Sequence, residues 1–200
     1  SPNSWPGGNG WNQGGDGWGF LPVRTETYAL FADNDKRRDA TVWDCRGVKY
    51  TKRYEDTGLW LAKYRPFTEN NADAGFDNNL NYNNNLRVYR LAEAYLNAAE
   101  LLLETGGDAN QAKDYVNKIR NRAGIAELGV TLDDVINERR LEFVGEGKRY
   151  FDLVRTGKAA TVLVPDSYGY RTNSWTESKK YIPIAQAELD SDPALVQNNY

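Results

Sequence analysis

The densest set of chemically capable side chains is Asn137-Glu138-Arg139-Arg140-Leu141-Glu142-Phe143, continued by Glu146, Arg149, Asp152 and Arg155. On a helix, Glu142 and Glu146, or Arg149 and Asp152, stand one turn apart. A carboxylate pair so placed can do acid–base work. Every carboxylate here has an arginine within reach, which keeps a carboxyl ionised rather than poised near neutrality. The favoured reading is an arginine–carboxylate lattice that locks a helix onto its neighbours, with Arg139, Arg140, Glu142, Arg149 and Asp152 buried or paired. Histidine is absent from all 200 residues. That removes an imidazole base, an imidazole metal ligand and a Ser-His-Asp triad. No catalytic residue is assigned, and a non-enzyme is expected.

Two further constellations bear on ligands. Asp33-Asn34-Asp35, followed by Asp39, could suggest calcium, but the spacing lacks the glycine and closing glutamate of an EF-hand loop. A turn before a helix is the better reading, and no metal or cofactor is expected. Cys45 is the single cysteine; it excludes an internal disulfide and a cysteine cluster for zinc, and reads as a small half-buried residue. The stretch 1–19, SPNSWPGGNGWNQGGDGWG, is different. Its tryptophans lie among residues too small to bury them locally. One reading packs them beneath an interface. The other makes them a platform for sugars, whose apolar C–H faces stack on aromatic rings while their hydroxyls take hydrogen bonds. On the second reading the ligand-binding residues are Trp11 first, then Trp5 and Trp18, with Asn12 and Asp16 bonding hydroxyls.

The elements that must position these groups divide near residue 85. Residues 1–85 are loop-rich and aromatic-rich. A short helix is expected within 22–32 and a short strand or hairpin within 37–54, on Val42, Trp43, Val48 and Tyr50. Residues 70–85, dense in asparagine, read as a long surface loop. Residues 86–200 form the C-terminal, helical region, although after Gly157 the pattern reads as irregular again, with Tyr181-Ile182-Pro183-Ile184 extended and a polar tail from Glu188 to Tyr200. Val88, Ala92, Tyr95, Leu96, Ala99, Leu102 and Leu103 form one apolar stripe, ended by Gly106 and Gly107. Asp108 is placed to cap a second helix carrying Ala112, Tyr115, Val116 and Ile119, which Gly124 stops. A turn this short makes the two helices antiparallel neighbours. Thr131 and Asp134 form a capping box for a third helix, whose apolar side is Leu132, Val135, Ile136, Phe143 and Val144 and whose middle Gly145 and Gly147 weaken. The fold class is therefore mainly α: a tetratricopeptide-like hairpin plus a further helix, with long irregular loops. A lone hairpin of this type cannot cover its apolar face.

Composition excludes several partners. The net charge of −3 comes from interspersed charges, 25 Lys and Arg against 28 Asp and Glu, which leaves no basic field for nucleic acid. Mean hydropathy is −0.74, and no apolar run approaches the ~18–20 residues of a membrane span. Methionine is absent, even at the start, so a processed chain or a fragment is expected.

Four segments, in order, carry a family resemblance. They are Arg90-Leu-Ala-Glu-Ala-Tyr-Leu-Asn-Ala-Ala-Glu100; Val116-Asn-Lys-Ile-Arg-Asn-Arg-Ala-Gly124; Ile136 to Phe143 with Gly145-Glu-Gly-Lys-Arg-Tyr-Phe-Asp-Leu-Val-Arg155; and Tyr181-Ile-Pro-Ile184 with Glu188-Leu189, Pro193, Leu195, Gln197-Asn198 and Tyr200. From about residue 31 onward the chain resembles the SusD/RagB family of surface nutrient-binding lipoproteins. Ala185 stands where the family often has proline, and Asn199 where it has Pro-Gly. Family members are also about twice as long, so the N-terminal half of the same protein, with its lipidated anchor, is expected to be missing. The resemblance implies binding of an oligosaccharide or polysaccharide at the outer face of an outer membrane, and delivery to a SusC-like, TonB-dependent transporter that the protein covers as a lid. Binding of peptides or other nutrients, or a structural role in the transporter complex, are the alternatives. The matching motifs are scaffold, so no sugar-contacting residue is carried over from the family.

Overall fold

The computed structural model describes residues 21–47, 49, 50, 52, 54–64, 83 and 85–199. The chain divides into two compact units, one ending at Glu146 and the other running from Gly147 to Tyr200. The tryptophan-bearing stretch and most of 70–85 lie outside the described residues.

In the first unit, helix α1 is Thr25–Tyr28 and α2 is Lys36–Thr41. Asp35 caps α2 by accepting from the Arg37 N–H at 2.9 Å, which confirms the turn-before-helix reading. Strand β1, Val42–Asp44, pairs antiparallel with β2, Leu59–Leu61, with Trp43 opposite Trp60. The strand lies where β-branched and aromatic residues predicted it. The segment just before it is helical instead, because the Asp35 cap starts a helix that runs up to the first β-branched pair. The Val23 N–H donates to the Leu59 carbonyl at 2.7 Å and fastens a third segment to this strand pair. Val23, Phe31, Val42 and Leu59 bury together, and Leu141 and Val144 pack on them.

Helices α3, Leu91–Glu104, and α4, Ala109–Ala123, form the expected hairpin. The Gly107 N–H reaches back to the Leu102 carbonyl at 2.7 Å, a Schellman-type ending, and Asp108 accepts from the Asn110 and Gln111 N–H groups. Ala92, Ala99 and Ala112 are small enough to let the backbones approach. Leu96, Val116 and Ile119 fill the space between, joined by Val135 of α5 and by Phe143. Each large buried side chain in this layer contributes about 1.5–3 kcal/mol. Helix α5, Leu132–Glu142, opens on the capping box of Thr131 and Asp134. Val88, placed on the stripe from sequence, lies outside α3 and is exposed together with Leu86, Tyr89 and Leu91.

The third helix is shorter than its apolar pattern suggested. It ends at Glu142, and Gly145 turns the chain at φ 79°. A Cβ at Gly145 would stand 2.4 Å from Cδ1 of Leu61, so the glycine is required twice over, by conformation and by space. The pattern that read as one weakened helix is two.

The second unit starts with α6, Arg149–Arg155, and α7, Ala159–Val162. A 3-10 turn, Glu177–Lys180, and α8, Gln186–Ser191, come after them. Gln197 clamps the extended stretch before α8. Its Oε1 accepts from the Ile184 N–H at 3.0 Å and its Nε2 donates to the Ile184 carbonyl at 2.9 Å, while Asn198 Nδ2 donates to the Ile182 carbonyl at 3.1 Å. These side chains supply what a neighbouring strand would otherwise give.

Candidate functional site

Two of the carboxylates singled out from sequence, Glu142 and Glu146, line one cleft of about 380 Å³ in the first unit. Glu142 takes hydrogen bonds from Arg90, from Arg122 at 2.6 Å and from Arg37 at 3.1 Å. Glu138 takes them from Arg37 at 2.6 Å and Arg120 at 2.7 Å. Glu146 is held by Lys63 and Arg90, each at 2.8 Å. Asp35 grips the same Arg37 guanidinium through Nε and Nη2. The Arg90 and Arg139 guanidiniums also lie against the Phe143 ring, 4.8 and 5.2 Å from its centre. The lattice therefore ties α2, α4 and α5 to the start of α3.

Burial by itself would raise the Glu142 and Glu146 carboxyls. Hydrogen bonds from Arg122 and Arg90 to Glu142, and from Arg90 and Lys63 to Glu146, overcome it and hold both below the usual carboxylate range. Burial pushes the Lys63 ammonium down despite Glu146 beside it. Carboxylates locked in the ionised form by fixed cations do not shuttle protons at neutral pH. The cleft is an ion-paired joint, as the sequence led us to expect, and its chemistry is adhesive.

Not every residue expected in the lattice joins it. Arg139 is buried and donates to Asn97 at 2.6 Å, with Glu93 at 3.8 Å, and Asp152 is buried against Arg155 at 2.7 Å. Arg140 has neither a hydrogen bond nor an ion pair among the described residues and feels Glu26 only through space. Sequence reasoning also missed Asp35, Arg37 and Lys63. The partners of Arg37 and Lys63 on α5 and just beyond it lie 79–105 positions away; no local spacing could reveal them.

The acidic run weighed for calcium is used otherwise. Asp33 pairs with Arg38 at 2.9 Å, Asn34 donates to the Gly124 carbonyl and Asp35 serves Arg37. Cys45 is fully buried rather than half-buried, and burial, with Asp44 adding to it, pushes its thiol up to about 12. Two stacked tyrosine pairs exist among the described residues. Tyr95 and Tyr115 stack at 5.4 Å in the hairpin, with Lys118 lying over both rings. Tyr168 and Tyr170 stack at 6.0 Å in the second unit. The five residues assigned to ligand from sequence, Trp5, Trp11, Asn12, Asp16 and Trp18, all fall outside the described residues.

Among the described residues the fold is mainly helical, with one tetratricopeptide-like hairpin bolted to a third helix by a charge lattice. Residues 37–200 match the model of the SusD family, and the chain belongs to that family. Among solved structures it is similar to the surface glycan-binding protein A of Bacteroides uniformis, with 62% identity, a TM-score of 0.86, and coverage of 99% of this chain and 45% of that one. It is also similar to the surface glycan-binding protein A of Bacteroides thetaiotaomicron in complex with laminarihexaose, with 52% identity, a TM-score of 0.87, and coverage of 100% and 45%. The starch-binding protein SusD of Bacteroides thetaiotaomicron is 34% identical over 116 residues, 56% of this chain and 20% of that protein. The chain thus spans less than half the length of each of these relatives.

Proposed function

We propose that the protein to which this chain belongs binds an oligosaccharide or polysaccharide without cleaving it, at the cell surface, and passes it to a TonB-dependent outer-membrane transporter. The observation that carries this reading is the likeness, over the whole chain and at 52% identity, to a surface glycan-binding protein solved with laminarihexaose. On that ground a β-linked glucan is the first ligand to try. The relatives are named for binding, and the carboxylates of the cleft are paired in a way that suits scaffold and not hydrolysis. Anchoring through a lipidated segment outside this chain, and contact with a SusC-like partner, belong to the same proposal.

The ligand loop is proposed at residues 1–20, with Trp11 foremost, Trp5 and Trp18 next, and Asn12 and Asp16 bonding hydroxyls. Tryptophan offers a flat face with little rotamer freedom to lose. The test is calorimetry of the full-length protein with laminarihexaose, alongside a glycan array and a peptide panel. Glycan binding without product formation is expected, with a loss of about 1–3 kcal/mol for Trp11→Ala. Binding confined to peptides would favour the alternative nutrient reading, and reproducible cleavage would end the non-enzyme reading. Unchanged affinity in all three Trp→Ala variants, with the fold intact, would move the site elsewhere.

A further inference from the structure

The second unit carries an aromatic platform that no sequence motif marks. Residues Asp166-Ser167-Tyr168-Gly169-Tyr170-Arg171 close on themselves. The Asp166 carboxylate accepts from the N–H groups of Tyr168 at 3.0 Å, Tyr170 at 3.2 Å and Arg171 at 3.1 Å. The Asp166 N–H donates to the Arg171 carbonyl at 3.1 Å, and the Gly169 N–H to the Asp166 carbonyl at 3.3 Å. Gly169 takes the left-handed conformation, φ 78°, that places a tyrosine on either side of it. The base of the loop is fastened as well: the Trp175 N–H donates to the Leu163 carbonyl at 2.8 Å, and the Trp175 indole N–H to the Tyr150 hydroxyl at 3.2 Å.

This turn fixes two rings in one orientation. Tyr168 and Tyr170 lie 20° from parallel with centroids 6.0 Å apart, and Tyr168 is 59% exposed. A single exposed tyrosine is ordinary. A stacked pair set on a turn whose amides are tied down is a different object, because the order that binding would otherwise impose is already present. In the hairpin's tyrosine pair a lysine roofs both rings, and that pair is half-buried; its rings serve packing. At Tyr168 the ring is presented.

We infer that the Tyr168–Tyr170 turn is a second sugar-stacking subsite, which takes the apolar face of a β-linked glucosyl unit in a chain of several residues. This rests on the glycan-binding reading above. That the ligand is a sugar comes from the surface, since flat apolar faces edged by phenol hydroxyls suit a ring with C–H groups on its face and hydroxyls on its rim; that it is a β-linked glucosyl unit comes from the likeness to the relative solved with laminarihexaose. A flat, weakly discriminating face adds affinity along a polymer more than it selects one sugar, and two such sites on one protein act together through effective concentration.

The experiment uses the full-length protein, with laminarihexaose by calorimetry and the polymer laminarin by affinity electrophoresis. Wild type, Tyr168→Ala, Tyr168→Phe and the double variant Tyr168→Ala/Tyr170→Ala are compared, with melting temperatures measured for each. The expected result is a fall of roughly 5- to 50-fold in affinity for the polymer in the two alanine variants. Tyr168→Phe, which keeps the ring, should stay within about threefold of wild type. The inference is overturned if the double variant melts as wild type does and binds both ligands as wild type does. Failure of wild type to bind any glycan is a separate outcome, which overturns the glycan reading and this subsite with it. Asp166→Ala tests the role of the turn: with the rings present but untethered, polymer affinity should fall partway, and full retention would count against pre-organisation.

Discussion

The two units hold themselves together by different means. In the first, the decisive contacts join residues far apart in the chain, such as Arg37 with Glu138 and Glu142, or Arg90 with Glu142 and Glu146. In the second, several polar contacts close short spans, Asp166 onto Tyr168, Tyr170 and Arg171, Arg155 onto Asp152, Gln197 onto Ile184, and the longest described, from Tyr150, span 25 and 29 positions. A lattice in which each carboxylate has several cations is intolerant of change, because removing one group strands the others in a place poor in water. A unit built from local clamps can alter one loop without disturbing the next. That is the freedom a variable ligand surface needs, and the first unit has none of it along α5.

This comparison can be broken by mutation. The largest effect is expected at Glu142, where Glu142→Ala leaves Arg37, Arg90 and Arg122 short of their shared anion and costs about 3–5 kcal/mol in urea unfolding. A loss below about 1 kcal/mol would show that the lattice is decorative.

Acid should discriminate the units next. The Glu142 and Glu146 carboxyls lie below the unfolded-state value of about 4.3. Their contribution to stability is thus complete above that pH and is lost as pH falls through the lower folded values. Protection factors of the α5 amides, in which the intrinsic pH dependence of exchange is divided out, should hold steady from pH 7 to 5 and fall below about 4, whereas the Tyr150–Trp175 and Gln197 clamps, which involve no carboxylate, have no such acid limb. A Glu142→Gln variant should flatten the α5 response; an unchanged acid limb would assign it to other carboxylates.

A smaller loss is expected at Asn117. It is buried and bonds both the N–H and the carbonyl of Leu128, at 3.0 and 3.2 Å, pinning the link between α4 and α5. Asn117→Ala should cost about 1–3 kcal/mol by leaving that backbone unsatisfied. The smallest effect is expected at Arg140, which sits in the same Glu-Arg-Arg run but outside the lattice: Arg140→Ala should cost under about 1 kcal/mol. If Arg140→Ala matched Glu142→Ala, the lattice would extend beyond the contacts described.

The two hairpin helices and α5, their caps and the structural role of Glu142 in the Glu-Arg-Arg run were legible because they are written locally, whereas α2, α7 and α8 were not read as helices. Thr131 with Asp134, Asp108, and the three- and four-residue apolar spacing each act within one or two turns. Two further things were not legible. The break at Gly145 depends on Leu61, far away in the chain and pressed against it. Arg37 and Lys63 carry no local signal of the roles they take beside α5, because their partners lie 79–105 positions away. The proposed ligand surface was harder still. Tryptophans advertise themselves by type, but they lie outside the described residues, while the Tyr168 turn becomes visible only when the hydrogen bonds of Asp166 are traced. The four motifs that carry the family resemblance fix the frame of the SusD family and name no ligand.

Cys45 offers a way to watch this frame open in time. It is the single thiol in 200 residues, has no measurable exposure, and its N–H donates to the Gly58 carbonyl beside the β1–β2 pair. With its pKa pushed up to about 12 by burial, almost none of it is thiolate at neutral pH. A thiol-reactive dye therefore has to wait for the strand pair to part, and each labelling event becomes a time stamp. Mixed with the protein for increasing intervals, the dye would turn a structural cysteine into a stopwatch for the first unit, read by mass at one position and needing no engineered probe.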